Sequence, residues 1–66
     1  MHWTQAQHWR EHDTGMIVTA LDLLKTYGTY IRVHHIYLID LPCDQSVSMS
    51  DGTVWSRVPP KPSTTQ

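Results

Sequence analysis

Phenylalanine is absent from this chain of 66 residues, and cysteine occurs once, at Cys43. A single cysteine cannot form a disulfide within the chain, which excludes the disulfide-stapled class of small secreted domains. A chain of this length buries only about 60% of the surface that its unfolded form exposes. Folds of this size therefore need an efficient core, a metal or a partner chain, and we expect a homodimer or a partner-bound form.

Clusters of positive charge are also missing. The five Lys and Arg residues are scattered, six Asp and Glu residues oppose them, and the formal net charge is −1. Proteins that hold nucleic acid through its phosphates usually show a basic cluster, so a nucleic-acid partner is possible but not favoured.

Long apolar runs are the third absence. No run approaches the roughly 20 residues that a membrane helix needs, so we expect no membrane partner. The start, MHWTQAQHWREHDTG, lacks the basic and apolar regions of a signal peptide. The expected location is the cytoplasm, or the host cytoplasm if the protein is viral.

A capping box predicts the first helix. Thr4 and Gln7 have the spacing at which a hydroxyl and an amide satisfy the first free backbone donors of a helix. The pattern extends this helix over residues 5–12, with Trp3 before it as a hydrophobic staple.

A second helix is predicted over residues 15–27, where apolar residues recur at helical spacing. Gly28 stands where a left-handed residue would end this helix. Two helices with a break near residues 13–15 are favoured over one kinked helix, because Asp13 suits an N-cap better than a buried helical position.

The stretch TYIRVHHIYLID, residues 29–40, changes the period. It is rich in β-branched, aromatic and aliphatic residues, which predicts one long strand over residues 29–41 that ends before Pro42. Apolar side chains would lie on both faces of this strand, and a single helical layer can cover only one face. We expect the uncovered face to bind a partner, with Trp3 nearby, through Tyr30, Arg32, His34, Ile36 and Leu38.

A β-hairpin is predicted near the end of the chain. Asp51-Gly52 between two apolar-containing runs is a strong short-range hairpin signal. The two strands are predicted over residues 46–49 and 53–58.

These elements define an α+β fold class. Two short N-terminal helices, or one kinked helix, pack on a small three-stranded antiparallel sheet. Residues 1–58 form the single small domain, and residues 59–66, PPKPSTTQ, form an extended proline-rich tail that is expected to be disordered.

Histidines are the main candidates for metal binding. His8 and His12 would lie on one face of the predicted helix within chelating reach, but a zinc site needs further ligands and the chain has no CxxC. His34 and His35 are adjacent in the predicted strand, so their side chains would point to opposite faces. We predict no metal and no cofactor.

Signals of catalysis are weak. Cys43 lies in a predicted loop beside Asp44, whose charge disfavours a reactive thiolate. The carboxylates form no convincing pair, since Asp51 suits the turn and Asp13 suits a helix cap. The three glycines are far apart, so no phosphate-binding loop is present. We predict no catalytic residues and no enzymatic activity.

Tryptophan and tyrosine together contribute six of the 66 residues. Trp9 and Trp55 are expected in the core, and the others favour a binding surface, where these residue types are enriched. The expectation is a small non-enzymatic protein–protein interaction module that regulates or inhibits a larger host protein or assembly. Such chains are often viral or plasmid-encoded accessory proteins.

The ending DGTVWSRVPPKPSTT resembles the C-terminus of Cro-type phage repressors over about a quarter of the chain. The resemblance implies an alternative function, that of a small DNA-binding transcriptional regulator whose two short helices form a helix-turn-helix. Residues 26–35, TYGTYIRVHH, are rich in β-forming residues where a basic recognition helix would be required.

Overall fold

Two helices cover one face of a four-stranded antiparallel sheet in the computed structural model, which describes residues 2–59. In chain order the elements are α1 (Trp3–Ala6), β1 (His8–Glu11), β2 (Ile17–Thr19), α2 (Ala20–Val33), a 3₁₀ turn (Leu38–Asp40), β3 (Ser46–Ser48) and β4 (Val54–Arg57). The strands lie in the order β2-β1-β4-β3. The predicted α+β class is confirmed, but the sheet has four strands rather than three. From residue 60 onward the predicted tail lies outside the described residues.

Strand β1 replaces the helix predicted over residues 5–12. Its side chains alternate, with Trp9 and Glu11 buried and with His8 and Arg10 exposed. The Trp9 side chain is 0% exposed on the inner face of the sheet. Burial of an aromatic side chain outweighs the weak local preference for a helix, so the prediction was wrong at this element.

Helix α1 is a single turn that His2 caps. The Nδ1 atom of His2 lies 2.8 Å from the Thr4 hydroxyl and accepts the Thr4 N–H at 3.4 Å, so Thr4 is not the N-cap. Gln7 follows the turn with a buried amide. Its Nε2 donates to the Leu38 carbonyl at 3.2 Å and its Oε1 accepts from the Trp9 indole at 2.7 Å. This amide joins the start of the sheet to the 3₁₀ turn.

Helix α2 begins later than predicted because residues 17–19 pair with β1 as strand β2. Thr19 is its N-cap, in place of Asp13 or another residue of the predicted break. The Thr19 hydroxyl accepts the Asp22 N–H at 3.3 Å, and the Asp22 carboxylate accepts the Thr19 N–H at 3.1 Å. This reciprocal pair is a capping box that the sequence pattern placed elsewhere.

The long strand predicted over residues 29–41 does not form. Helix α2 continues through Gly28 to Val33, with a kink at Tyr27, where φ is −120° and ψ is 22°. Ile31 extends the buried stripe of this helix and is 5% exposed. An apolar segment rich in β-branched residues suits a buried strand or a helix, and packing against the sheet decides between them here.

His35 ends helix α2 in a Schellman motif. Its φ is +54°, its N–H donates to the Arg32 carbonyl at 3.2 Å, and the Ile36 N–H donates to the Ile31 carbonyl at 2.9 Å. The left-handed position therefore belongs to a histidine and not to Gly28. Ile36 is half-buried and packs against the hydrophobic core, as the residue at this position of the motif frequently does.

The β3–β4 hairpin confirms the prediction from Asp51-Gly52. Gly52 has a φ of +87° in the turn. One oxygen of Asp51 accepts the N–H of Thr53 at 3.1 Å and its hydroxyl at 2.6 Å, and the other accepts the Tyr27 hydroxyl at 2.8 Å. The turn is thereby fastened to the kink of α2.

The hydrophobic core lies between α2 and the inner face of the sheet. Trp9 and Trp55 come from the two central strands, and both are buried as predicted. The remaining buried apolar residues come from α2, the 3₁₀ turn and the region of β3, and they are Ala20, Leu23, Ile31, Leu38, Val47 and Met49.

Candidate interaction surface

Among residues 2–59, strand β3 is an edge of the sheet with one side of its backbone unpaired. Met49 donates its N–H to the Thr53 carbonyl at 2.8 Å, and Val47, two residues earlier, has the same orientation toward β4. In an antiparallel pair the backbone groups of alternate residues point to the partner strand. The N–H and C=O groups of Ser46 and Ser48 therefore point away from β4.

The other side of β4 supports this assignment. His12 donates its N–H to the Val54 carbonyl, and Val58 donates its N–H to the His8 carbonyl, both at 2.9 Å. The backbone groups of Val54, Ser56 and Val58 thus point to β1. Those of Trp55 point the other way, to β3.

A cavity of about 460 Å³ lies along this free edge, and we call it the edge groove. Its walls are residues 35–37, 40–42 and 45–48. Tyr37 is 65% exposed, whereas Ile36 and Leu41 are half-buried against the core. The groove therefore combines an apolar wall with unpaired backbone donors and acceptors.

Among residues 2–59, the edge groove is lined by one carboxylate and by no Lys or Arg. Asp40 lines it, and Asp44 is exposed in the loop just before Gln45. Arg57 approaches from β4, where its Nη1 donates to the Leu41 carbonyl at 2.9 Å.

A larger cavity, of about 620 Å³, lies at the kink of α2. Residues 24–32 and Ser50 line it, with Lys25 and Arg32 as its charged groups. Nearly all of this lining comes from one helix, so the cavity lacks the second wall that the edge groove has in β3.

The predicted partner-binding residues do not share one face, because the strand that would align them is a helix followed by a turn. Leu38 is 2% exposed and belongs to the core, Ile36 lines the edge groove, Tyr30 and Trp3 are half-buried, and Arg32 and His34 are exposed. In this fold Leu38 is not accessible to a partner. The binding role of the others stays a prediction.

Sequence reasoning missed two features of the edge groove: the exposure of Tyr37 and the outward-pointing backbone groups of Ser46 and Ser48. The alternation SVSMS, residues 46–50, signals a strand with one polar face. Its position at a sheet edge depends on which strand pairs with β4, which the local pattern does not contain.

The histidines do not assemble into a metal site. His8 lies in β1, and His12 follows the last residue of that strand. Four residues of a strand span about 13 Å, which is too far for one ion to join the two imidazoles. The Nε2 atom of His12 lies 2.6 Å from the Ser56 hydroxyl. The rings of His34 and Tyr30 pack against each other at an interplanar angle of 46°, with their centroids 4.4 Å apart. Within residues 2–59, no group of three His, Cys, Asp or Glu side chains could hold a metal ion.

Three carboxylates are held by turns and caps. The N–H of Asp13, then the hydroxyl and N–H of Thr14, lower the pKa of Glu11. The N–H of Thr19, then its hydroxyl, lower the pKa of Asp22. The pKa of Asp51 is lowered most by the Thr53 hydroxyl, and further by the Tyr27 hydroxyl and the Thr53 N–H. Each carboxylate is engaged in stabilising local backbone structure, and Cys43 is an exposed free thiol.

Comparison with protein-family models, curated proteins and solved structures finds no match to this chain. Every helix in the part of the chain that the structure describes is too short or too polar to cross a membrane. Over the same residues α1 is followed by strand β1, so the consecutive helices of a helix-turn-helix are not formed there.

Proposed function

We propose that the protein is a non-enzymatic interaction module of the cytoplasm that regulates or inhibits a larger protein by binding it through the edge groove. The observation that carries this proposal is an apolar wall beside an unpaired strand edge. An exposed edge strand is a template for pairing with another chain. Tyrosine is enriched at binding hot spots because it joins a large apolar area to a polar tip, and Tyr37 is exposed in this position.

The engagement of the carboxylates supports a binding role rather than catalysis. Glu11, Asp22 and Asp51 accept hydrogen bonds from backbone and hydroxyl donors of their own turns. These contacts favour the charged, acceptor form, which is the wrong direction for a general acid that must hold a proton near neutral pH.

The test compares two baits that differ from the wild type by one exposed apolar residue. Tyr37→Asp places a charge in the edge groove, and Met16→Asp places one in the β1–β2 loop, where Met16 is also exposed. A protein captured from the native host by wild type is purified and titrated against all three by calorimetry. We expect Tyr37→Asp to weaken binding by roughly tenfold or more and Met16→Asp to leave it unchanged. Equal affinity for wild type and Tyr37→Asp would contradict the proposal.

A further inference from the structure

We infer that the edge groove takes an extended segment of the partner protein, added beside β3 as a fifth strand, with Lys or Arg flanking its apolar side chains. This inference rests on the proposed function and names the chemistry of the occupant.

The backbone of β3 selects an extended occupant. Ser46 and Ser48 each present one N–H and one C=O to the free edge, and the two sets are separated by about 7 Å along the strand. A second strand has free backbone groups at the same repeat and can exchange hydrogen bonds with both residues. A helix cannot, because its backbone groups are already bonded to one another. Strand addition to a sheet edge is an established mode of peptide recognition.

The apolar wall determines the side chains. Successive side chains of an added strand point alternately toward the helical layer and toward the open face of the sheet. Those that point toward the helical layer would lie between β3 and the segment after α2, next to Ile36, Tyr37 and Leu41. An apolar residue at every second position therefore fits the groove.

Charge favours a basic segment over a second copy of this chain. Asp40 lines the groove, Asp44 directly precedes Gln45 of its wall, and within residues 2–59 no Lys or Arg lines it. Arg57 is engaged by the Leu41 carbonyl. Pairing β3 with β3 of another copy would bring Asp40 and Asp44 of the two copies together, which like-charge repulsion disfavours. Lys or Arg residues flanking a foreign strand would instead face opposite charges.

The test uses the amidated peptide KTVKVTK, which alternates as the groove requires, and its acidic counterpart ETVEVTE, each carrying the same fluorophore on its N-terminal amine. Binding is followed by fluorescence anisotropy on labelled peptide with the full chain. We expect saturable binding of the basic peptide and binding of the acidic peptide that is about tenfold weaker. Equal binding of the two peptides would overturn the charge assignment.

A proline substitution tests the backbone contact. Ser46→Pro removes an N–H that points away from β4, at the first position of a strand, where proline is tolerated. Ile17→Pro is the matched control on the opposite edge of the sheet. The Met16 carbonyl accepts the Glu11 N–H from β1, so the backbone groups of Ile17, the next residue, point away from β1. We expect a loss of at least about fivefold in peptide affinity for Ser46→Pro and none for Ile17→Pro.

N-methylated peptides give a readout that does not depend on the folding of any variant. One peptide is methylated on the amides of its two valines, and the other on the amides of its second, fourth and sixth residues. In a strand these two sets of N–H groups point to opposite edges, so each peptide loses its donors on one edge only. One set should abolish binding and the other should leave it unchanged. Equal effects of the two sets would overturn strand addition.

The inference and the proposed function fail in different ways. A partner that loses binding to Tyr37→Asp but not to Ser46→Pro leaves the proposed function standing and overturns strand addition. A dimer in sedimentation experiments without peptide, dissociated by Ser46→Pro, would assign the edge to a second copy and overturn the foreign segment. Binding that neither variant changes would overturn both.

Discussion

At the scale of single residues, Glu11 organises the loop between β1 and β2 from a buried position. Its carboxylate accepts the N–H groups of Asp13 and Thr14 at 3.1 and 2.9 Å and the Thr14 hydroxyl at 2.8 Å. Sequence reasoning assigned Asp13 as a helix cap in this region and considered Glu11 only as a possible further zinc ligand beside His8 and His12, not as the residue that organises the loop. The signal that could have revealed it is EHDTG, residues 11–15, in which an acidic residue precedes turn-forming residues and a glycine.

The direction of the pKa shifts predicts loss of stability in acid. Glu11, Asp22 and Asp51 have lowered pKa values in the folded state. Each therefore adds stability above its unfolded pKa, and this contribution is lost as pH falls through the lower folded pKa. We expect the free energy of unfolding, measured with urea, to fall as pH is lowered below about 4. Glu11→Gln should make this decline shallower, and an unchanged acid profile in that variant would contradict the role of Glu11.

At the scale of secondary-structure elements, local signals succeeded where the structure is local. The β3–β4 hairpin follows from Asp51-Gly52, because the turn is specified by the residues within it. The first half of α2 follows from helical periodicity. The second half does not, because β-branched residues and Gly28 lower its helix propensity, and only packing of residues such as Ile31 on the sheet keeps it helical.

Gly28 distinguishes the structure from the sequence interpretation. A glycine that ended a helix with positive φ would resist substitution, whereas Gly28 lies inside α2 and a Cβ built on it meets no atom within 4 Å. We expect Gly28→Ala to raise the free energy of unfolding by about 0.5–1 kcal/mol. Gly52→Ala is the matched control and should destabilise, since Gly52 has a φ of +87°. Destabilisation by Gly28→Ala in thermal unfolding would contradict the continuous helix.

At the scale of the whole molecule, the order of the sheet was beyond sequence reasoning. Pairing of β1 with β4 joins residues 9–11 to residues 55–57, which lie at opposite ends of the chain. No local pattern encodes that pairing, because it follows from the shared burial of two distant tryptophans. The same long-range packing places the 3₁₀ turn over the core and leaves β3 as the edge.

Leu38 tests this packing at the level of the whole fold. It was predicted on a partner-binding face, but it is 2% exposed in the core, whereas Ile39, the next residue, is 48% exposed. We expect Leu38→Ala to cost about 2–5 kcal/mol, a large share of the stability of a small domain. Ile39→Ala should cost less than about 1 kcal/mol. Similar urea midpoints for the two variants would show that residue 38 is not in the core.

Amide hydrogen exchange, followed by NMR on the dilute isolated protein, tests the free edge of β3 most directly. The N–H groups of Val47 and Met49 bond to β4 and should be protected, whereas those of Ser46 and Ser48 should exchange at nearly the rate of an unstructured chain. Protection of Ser46 and Ser48 equal to that of Val47 would contradict the account, because the edge would then already be covered.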